Sequence, residues 1–120
     1  MIQCIFVGLG GAAGAVLRYL VGLIRISCAS EFPWKTLAIN VAGSFCIGLA
    51  AAAAERYGLH ANLVLFLKAG VCGGFTTFST FALESLGLLR SGRVLPALAY
   101  ISASILLSLF AVLGAQRIVG

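Results

Sequence analysis

Charged side chains are scarce in this sequence, at 9% of its 120 residues, while hydrophobic residues make up 62%. A soluble domain carries about 25% charged residues, so this chain lacks the polar groups needed to cover a surface in water. Its eight lysines and arginines are scattered at the ends of apolar segments, as membrane anchors are, so no nucleic-acid partner is expected. The composition predicts an all-α membrane protein in contact with lipid.

Residues used in catalysis and metal binding are also few. His60 is the only histidine, and no pair of a nucleophile and a base is evident, so the chain is not expected to be an enzyme. No two cysteines form a CxxC pair, and we expect all four to be small buried side chains. They are Cys4, Cys28, Cys46 and Cys72.

Four apolar segments are each close to the roughly 20 residues that a helix needs to cross a bilayer. They predict one transmembrane domain over residues 1–120, with helices at about 2–24, 36–54, 61–89 and 94–115. A cleaved signal peptide is a weaker alternative for the first segment, because no basic region precedes it and Arg18 lies inside it.

The basic residues predict only a weak preference for one orientation in the membrane. One side of the four helices carries Arg56 and Arg117, plus Lys68 if the third helix starts late, and the other carries Arg25, Lys35, Arg90 and Arg93. The positive-inside rule therefore favours cytoplasmic loops at 25–35 and 90–93 by only one or two charges. Both orientations are allowed, and two copies could pair antiparallel.

Glycines near the start fit two different motifs. Residues 8–13 match the dinucleotide-binding pattern G-x-G-x-x-A, but the alternating strands and helices of that fold are not predicted downstream. Gly10 and Gly14 also form GxxxG, and Gly11 with Ala15 continues the stripe of small residues. In a membrane helix these positions are typical of close helix packing.

Polar residues on three predicted helices recur at four-residue spacing, which places them on one face of each helix. They are Thr36, Asn40 and Ser44 on the second helix, Tyr100, Ser104 and Ser108 on the fourth, and Arg18 one turn after Gly14 on the first. Such hydroxyls often only join neighbouring helices. Asn40 differs, because a primary amide in a membrane needs partners for two donors and an acceptor. Three stripes in so small a protein favour a shared polar route.

The third helix contains the stretch GGFTTFSTF at 73–81, where glycines precede four hydroxyl residues that are modest helix formers. This composition predicts a non-helical break near residues 73–77. At membrane depth such a break is tolerated only where it is buried in protein or lines a cavity. Its freed carbonyl oxygens are suited to binding a cation.

Three motifs together resemble the CrcB/Fluc family of small bacterial fluoride channels. They are GGAAGAVLRY at 10–19, WKTLAINVAGSF at 34–45 and GGFTTFSTF at 73–81. They occur in the first three predicted helices in the family's order, and the resemblance covers essentially the whole chain.

The resemblance implies a dual-topology antiparallel homodimer in the inner cell membrane that exports fluoride passively through two pores. It implies a structural sodium ion at the dimer centre, held by the backbone carbonyls of Gly73 and Thr76 from both chains. It places ion-pathway positions at Asn40, Phe78, Phe81, Ser79, Thr36, Tyr100, Ser104, Ser108 and Arg18. Glu84 matches the family's third-helix acid, whereas Phe75 matches no pore position.

Other functions remain as alternatives at this point. A small dual-topology four-helix multidrug exporter needs an acid in its first helix, where this chain has Arg18 instead; Glu84 is the only acid within any predicted span. A structural assembly protein would explain the GxxxG stripe but not the glycine break with its hydroxyls. Sodium-driven fluoride transport is not excluded by the residues.

Overall fold

A computed structural model describes residues 1–25 and 32–120, and the described residues form helices without any strand. Four segments are long and apolar enough to cross a membrane: Ile2–Gly22, Trp34–Tyr57, Ala61–Arg90 and Val94–Val119. We call them the first to fourth spans. The four predicted helices are thus present, with the second and fourth spans running a few residues beyond the predicted ends.

Short connections join the second span to the third and the third to the fourth. Gly58 ends the second span in the left-handed region, with φ 62°, and its N–H donates to the carbonyl of Ala54. The His60 side chain then accepts a hydrogen bond from the backbone N–H of Asn62 at 3.1 Å and so caps the start of the third span. The glycine and this cap make the chain reverse direction within a few residues.

The third span is not one continuous helix. Short α-helical pieces, Ala61–Leu65 and Gly73–Phe75, enclose a π-helical segment, Phe66–Cys72. Thr76 and Thr77 are then extended, with ψ values of 158° and 120°, before the helix resumes as Phe78–Arg90. The break was predicted over 73–77, and the structure confines its extended part to residues 76 and 77. We call the part before the break the first half of the span, and Phe78–Arg90 the second half.

Glycines explain the close contact between the first span and the first half of the third. A Cβ added to Gly10 would lie 2.8 Å from Gly70 Cα, and one added to Gly14 would lie 2.8 Å from the backbone nitrogen of Phe75. A Cβ on Gly74 would lie 3.0 Å from Gly11 Cα. These distances are too short for a side chain, so the backbones themselves touch. The GxxxG stripe therefore packs helices, as the sequence predicted.

The second span packs mainly on the fourth, and the second half of the third span also contacts the fourth. A small buried cluster of Leu37, Leu88, Ala97 and Tyr100 joins these three spans, and Phe81 packs against it. At one end, Arg56 Nη1 donates to the Val119 carbonyl oxygen at 2.6 Å. The first half of the third span thus packs on the first span, and its second half contacts the fourth. The break lies between these two halves and within reach of the second span.

The cysteines only partly follow the prediction that they are buried. Cys72 is buried, as predicted, but Cys4 and Cys46 are exposed on this chain, so the prediction was wrong for these two. Cys28 lies outside the described residues.

Candidate functional site

Asn40 bridges the break in the third span with both ends of its side-chain amide. Its Nδ2 donates to the Thr77 carbonyl oxygen at 3.0 Å, and its Oδ1 accepts from the Thr77 backbone N–H at 2.8 Å. The side chain thus pairs with Thr77 as a neighbouring strand would, and it satisfies the Thr77 N–H, which the break has freed from its helical acceptor. The partners that the sequence required for this amide are therefore main-chain groups.

Arg18 binds the other side of the break. Its Nε donates to the Gly74 carbonyl oxygen at 3.2 Å. In an unbroken helix the Phe78 N–H, four residues later, would occupy that oxygen. A cation beside the last carbonyls of a helical segment is also favoured by the helix dipole. Arg18 therefore satisfies a carbonyl that the break exposes.

The Gly73 carbonyl oxygen loses its normal helical partner at the same place. That partner would be the Thr77 N–H, which donates to Asn40 instead. Thr76 is extended, so its carbonyl also points away from the helical direction. Its side chain folds back, and its Oγ1 donates to the Cys72 carbonyl oxygen at 2.9 Å. The break therefore presents two neutral oxygen ligands of the kind that hard cations prefer.

A cavity of about 360 Å³ lies beside the break and between the second, third and fourth spans. Its polar lining comes from the second and fourth spans and from the break: Asn40, Ser44, Gly73, Thr76, Thr77, Ser104 and Ser108. We call it the break cavity. The polar stripes of two helices, predicted separately from their spacing, meet in this one space.

Two phenylalanine rings complete the wall of the break cavity. The rings of Phe78 and Phe81 lie with their centroids 5.6 Å apart and their planes at 50°. Phe81 is partly buried against Tyr100, with centroids 5.2 Å apart, whereas Phe78 is 79% exposed on this chain. The Phe81 ring is thus packed against its own chain, whereas the Phe78 ring is largely uncovered by it.

Ser104 has the least satisfied side chain at this site. Its Oγ is buried and has no hydrogen-bond partner among the described residues, although it lines the break cavity. A buried polar group without a partner is costly unless something else occupies it. This hydroxyl is therefore available to a small polar or charged guest in the cavity.

Four of the predicted pathway residues do not line the break cavity. Tyr100 is fully buried, and its OH donates to Glu84 Oε1 at 3.2 Å. A second pocket of about 340 Å³ on the other side of the break is lined by the pathway residues Thr36 and Arg18. Glu84, which is not one of the four, also lines it. Ser79 is exposed, with its Oγ 3.4 Å from Thr77 Oγ1. Thr77 and Thr80 also line this second pocket, which thus meets the first at Thr77.

Sequence reasoning missed how the break is held. The contacts of Arg18 with Gly74 and of Asn40 with Thr77 join residues 56 and 37 positions apart. A signal was present, because an arginine and an asparagine within apolar helices each need several partners. It identified the residues but not the backbone atoms that they bind.

Comparison with known proteins decides the family. The family model for "CrcB-like protein, Camphor Resistance (CrcB)" matches residues 5–116. The chain belongs to the CrcB family. The resemblance given by the three motifs is thereby confirmed over nearly the whole chain.

Curated CrcB-family relatives align over most of their length. A protein of Rhizobium meliloti (strain 1021), named a fluoride-specific ion channel FluC, is 49% identical over 93% of this chain and 91% of its own. FluC proteins of Methylobacterium radiotolerans and Thermus thermophilus are 43% and 46% identical over 91% and 92% of this chain. The alignments cover 78% and 89% of those two proteins. These relatives are named as channels, in agreement with the prediction that this CrcB chain is not an enzyme.

Proposed function

We propose that the chain is the subunit of a fluoride-selective channel that lets fluoride leave the cytosol passively and so lowers its concentration there. The observation that carries this proposal is the break cavity, which brings hydroxyls, an amide and two phenylalanine rings together at membrane depth. The names of the CrcB relatives support fluoride as the ion. A multi-pass protein of the inner cell membrane suits this role, since its four spans are long and apolar enough to cross a membrane.

The lining of the break cavity suits a small and strongly hydrated anion. Ser104 and Ser108 offer hydroxyl hydrogens to replace lost water, and the Ser104 hydroxyl has no competing partner among the described residues. Asn40 uses one N–H on Thr77 and retains a second. The positive edges of the Phe78 and Phe81 rings can contact an anion weakly. Weak, repeated contacts allow an ion both to enter and to leave.

Two antiparallel copies would complete the route and give two pores. A single chain leaves the Phe78 ring 79% exposed beside a cavity whose hydroxyl and amide groups lipid cannot satisfy. A second copy placed over this face would cover the ring and close the cavity. The small difference in basic residues between the two sides allows that copy to insert in the opposite direction.

We further propose a structural sodium ion between the two copies. Main-chain oxygens of Gly73 and Thr76 suit the role because Asn40 draws the Thr77 amide away from Gly73 and because Thr76 is extended. Each chain supplies two such oxygens, so the pair of chains would surround the ion. A bound cation would supply positive charge close to two anion routes, which lowers the cost of an anion in the membrane.

The test of function is fluoride efflux from proteoliposomes, measured with a fluoride electrode, with and without an imposed sodium gradient. We expect passive efflux that is unchanged by the gradient and much faster than chloride efflux. Acceleration by the gradient would instead indicate a sodium-coupled transporter. Flux of an organic cation against a proton gradient, without fluoride efflux, would favour the multidrug-exporter alternative.

The test of topology uses one new cysteine at an exposed position near the end of the third span. In a variant whose four native cysteines are alanine, Ser91→Cys, which keeps every basic residue, should react with a membrane-impermeant thiol reagent in two equal fractions. One fraction reacts from outside the cell, and the other reacts only after the membrane is opened. Labelling from one side alone would contradict dual topology and, with it, the antiparallel dimer.

A further inference from the structure

We propose that Arg18 and Asn40 are positioning residues that hold the third-span break in its extended conformation, and thereby fix the Gly73 and Thr76 carbonyl oxygens in place. This inference deepens the proposed cation site and rests on it. All the carbonyl oxygens of this site belong to the third span, but side chains of the first and second spans determine their positions.

The first step of the argument is that extended residues inside a membrane helix are unfavourable by themselves. Thr76 and Thr77 leave helical geometry, so the backbone bonds that span residues 73 to 78 of an unbroken helix are lost. In apolar surroundings, each lost bond leaves a donor and an acceptor that need other partners. Without such partners, the freed groups would lack hydrogen bonds and the break would lose its fixed conformation.

The second step is that the two side chains replace specific lost bonds. Asn40 Oδ1 takes the Thr77 N–H at 2.8 Å, which would otherwise bond to Gly73. Arg18 Nε gives the Gly74 oxygen a donor at 3.2 Å in place of the Phe78 N–H. Neither bond uses the Gly73 oxygen. The two side chains thus stabilise the break without using the Gly73 oxygen, which the proposed cation needs.

The third step is that other contacts keep these two side chains in position. The first span lies against the third with no space for a side chain at Gly14, one helical turn before Arg18. The second span lies against Thr76 at Gly43, where an added Cβ would overlap the threonine methyl group. Both helices are therefore fixed at van der Waals contact with the break, and small shifts of either one would move the carbonyls.

Matched substitutions at Arg18 separate the hydrogen bond from the charge. In Arg18→Gln, Nε2 occupies the same place along the side chain as the arginine Nε and can still donate to Gly74. In Arg18→Met, the side chain keeps its length but can donate no hydrogen bond. If the hydrogen bond positions the break, the glutamine variant should resemble the native protein and the methionine variant should not.

The experiment measures thermal unfolding of the purified full chain in detergent as sodium replaces N-methylglucamine. We expect sodium to raise the unfolding temperature of the native protein and of Arg18→Gln. Arg18→Met and Asn40→Leu should weaken the apparent sodium affinity by about 10–100-fold, the usual effect of losing a residue that orients ligands. Ser44→Ala is the control, since it lines the same cavity one turn beyond Asn40 and should leave sodium affinity unchanged.

Hydrogen exchange at the Thr77 amide tests the contact between Asn40 and the break independently of any bound cation. The amide should be protected in the native protein and in Ser44→Ala, and it should exchange rapidly in Asn40→Leu. Asn40→Ala, which removes the amide without adding bulk, serves if the leucine variant does not assemble. Any one of three results would overturn the proposal. Arg18→Met could bind sodium as tightly as the native protein, or Arg18→Gln and Arg18→Met could lose sodium affinity equally. The third result is a Thr77 amide that stays protected in the Asn40 variants. A protected native amide without any sodium effect would overturn the cation site and leave the break contacts standing.

Discussion

Replacing Phe78 or Phe81 with isoleucine should lower fluoride flux by about tenfold or more while the protein stays assembled. Isoleucine retains an apolar side chain, so the loss of packing should stay within about 1–3 kcal/mol. It removes the positive ring edge, and losing about 1.4 kcal/mol of ion stabilisation changes a rate about tenfold. Proteoliposome efflux measures the change, and size-exclusion chromatography confirms assembly.

The matched control for these variants is Phe110→Ile. Phe110 is 63% exposed on the fourth span and does not line the break cavity, so flux should remain at the native level. The two pathway rings also differ from each other, because Phe81 packs against Tyr100 and Phe78 is exposed on this chain. Phe81→Ile should therefore lose some stability as well as flux. Native flux in both variants would show that the rings only pack and that the anion passes elsewhere.

Replacing Gly10 with alanine should destabilise the fold far more than the size of one methyl group suggests. The added Cβ would lie 2.8 Å from Gly70 Cα and 3.0 Å from the Val71 backbone nitrogen, and backbone atoms cannot move aside as a side chain can. The first and third spans must separate, which costs about 1–3 kcal/mol or more. The measurement is the denaturant midpoint of the purified protein in detergent.

Gly8→Ala provides the comparison for this variant. Gly8 lies two residues earlier in the same helix, and an added Cβ would meet no described atom within 4 Å. Alanine also has the higher helix propensity, so this variant should be neutral or slightly more stable. Equal midpoints for Gly8→Ala and Gly10→Ala would mean that the backbones of the first and third spans do not touch as described.

The spans could be predicted from the sequence because their signal is local. A run of about 20 apolar residues must cross the bilayer as a helix whatever surrounds it. The π-helical segment Phe66–Cys72 could not be predicted in this way. Its wider turn lies against the first span at Gly10 and Gly70, a contact between residues far apart in sequence. Gly74, which was assigned to the predicted break, instead packs against Gly11 within a helical piece, and the extended residues begin only at Thr76.

In the candidate site, too, local spacing could be predicted from the sequence, but contacts between helices could not. Four-residue spacing correctly grouped Asn40 with Ser44, and Ser104 with Ser108, because spacing determines which face of a helix a residue occupies. It also grouped Thr36 and Tyr100 with them, yet these two lie outside the break cavity. A stripe continues along a helix beyond the end of any one cavity. Where the cavity ends depends on neighbouring helices, which spacing does not describe.

The pairing of the spans has a consequence for the order in which the protein assembles. The first span packs mainly on the first half of the third, and the second packs mainly on the fourth. Synthesis proceeds from the N-terminus, so the first two helices enter the bilayer before either has its partner. Insertion and folding are therefore separate stages for this chain. Neither of these two helix pairs can form until the third helix has left the ribosome. The second helix gains its main partner only when the fourth helix has been made.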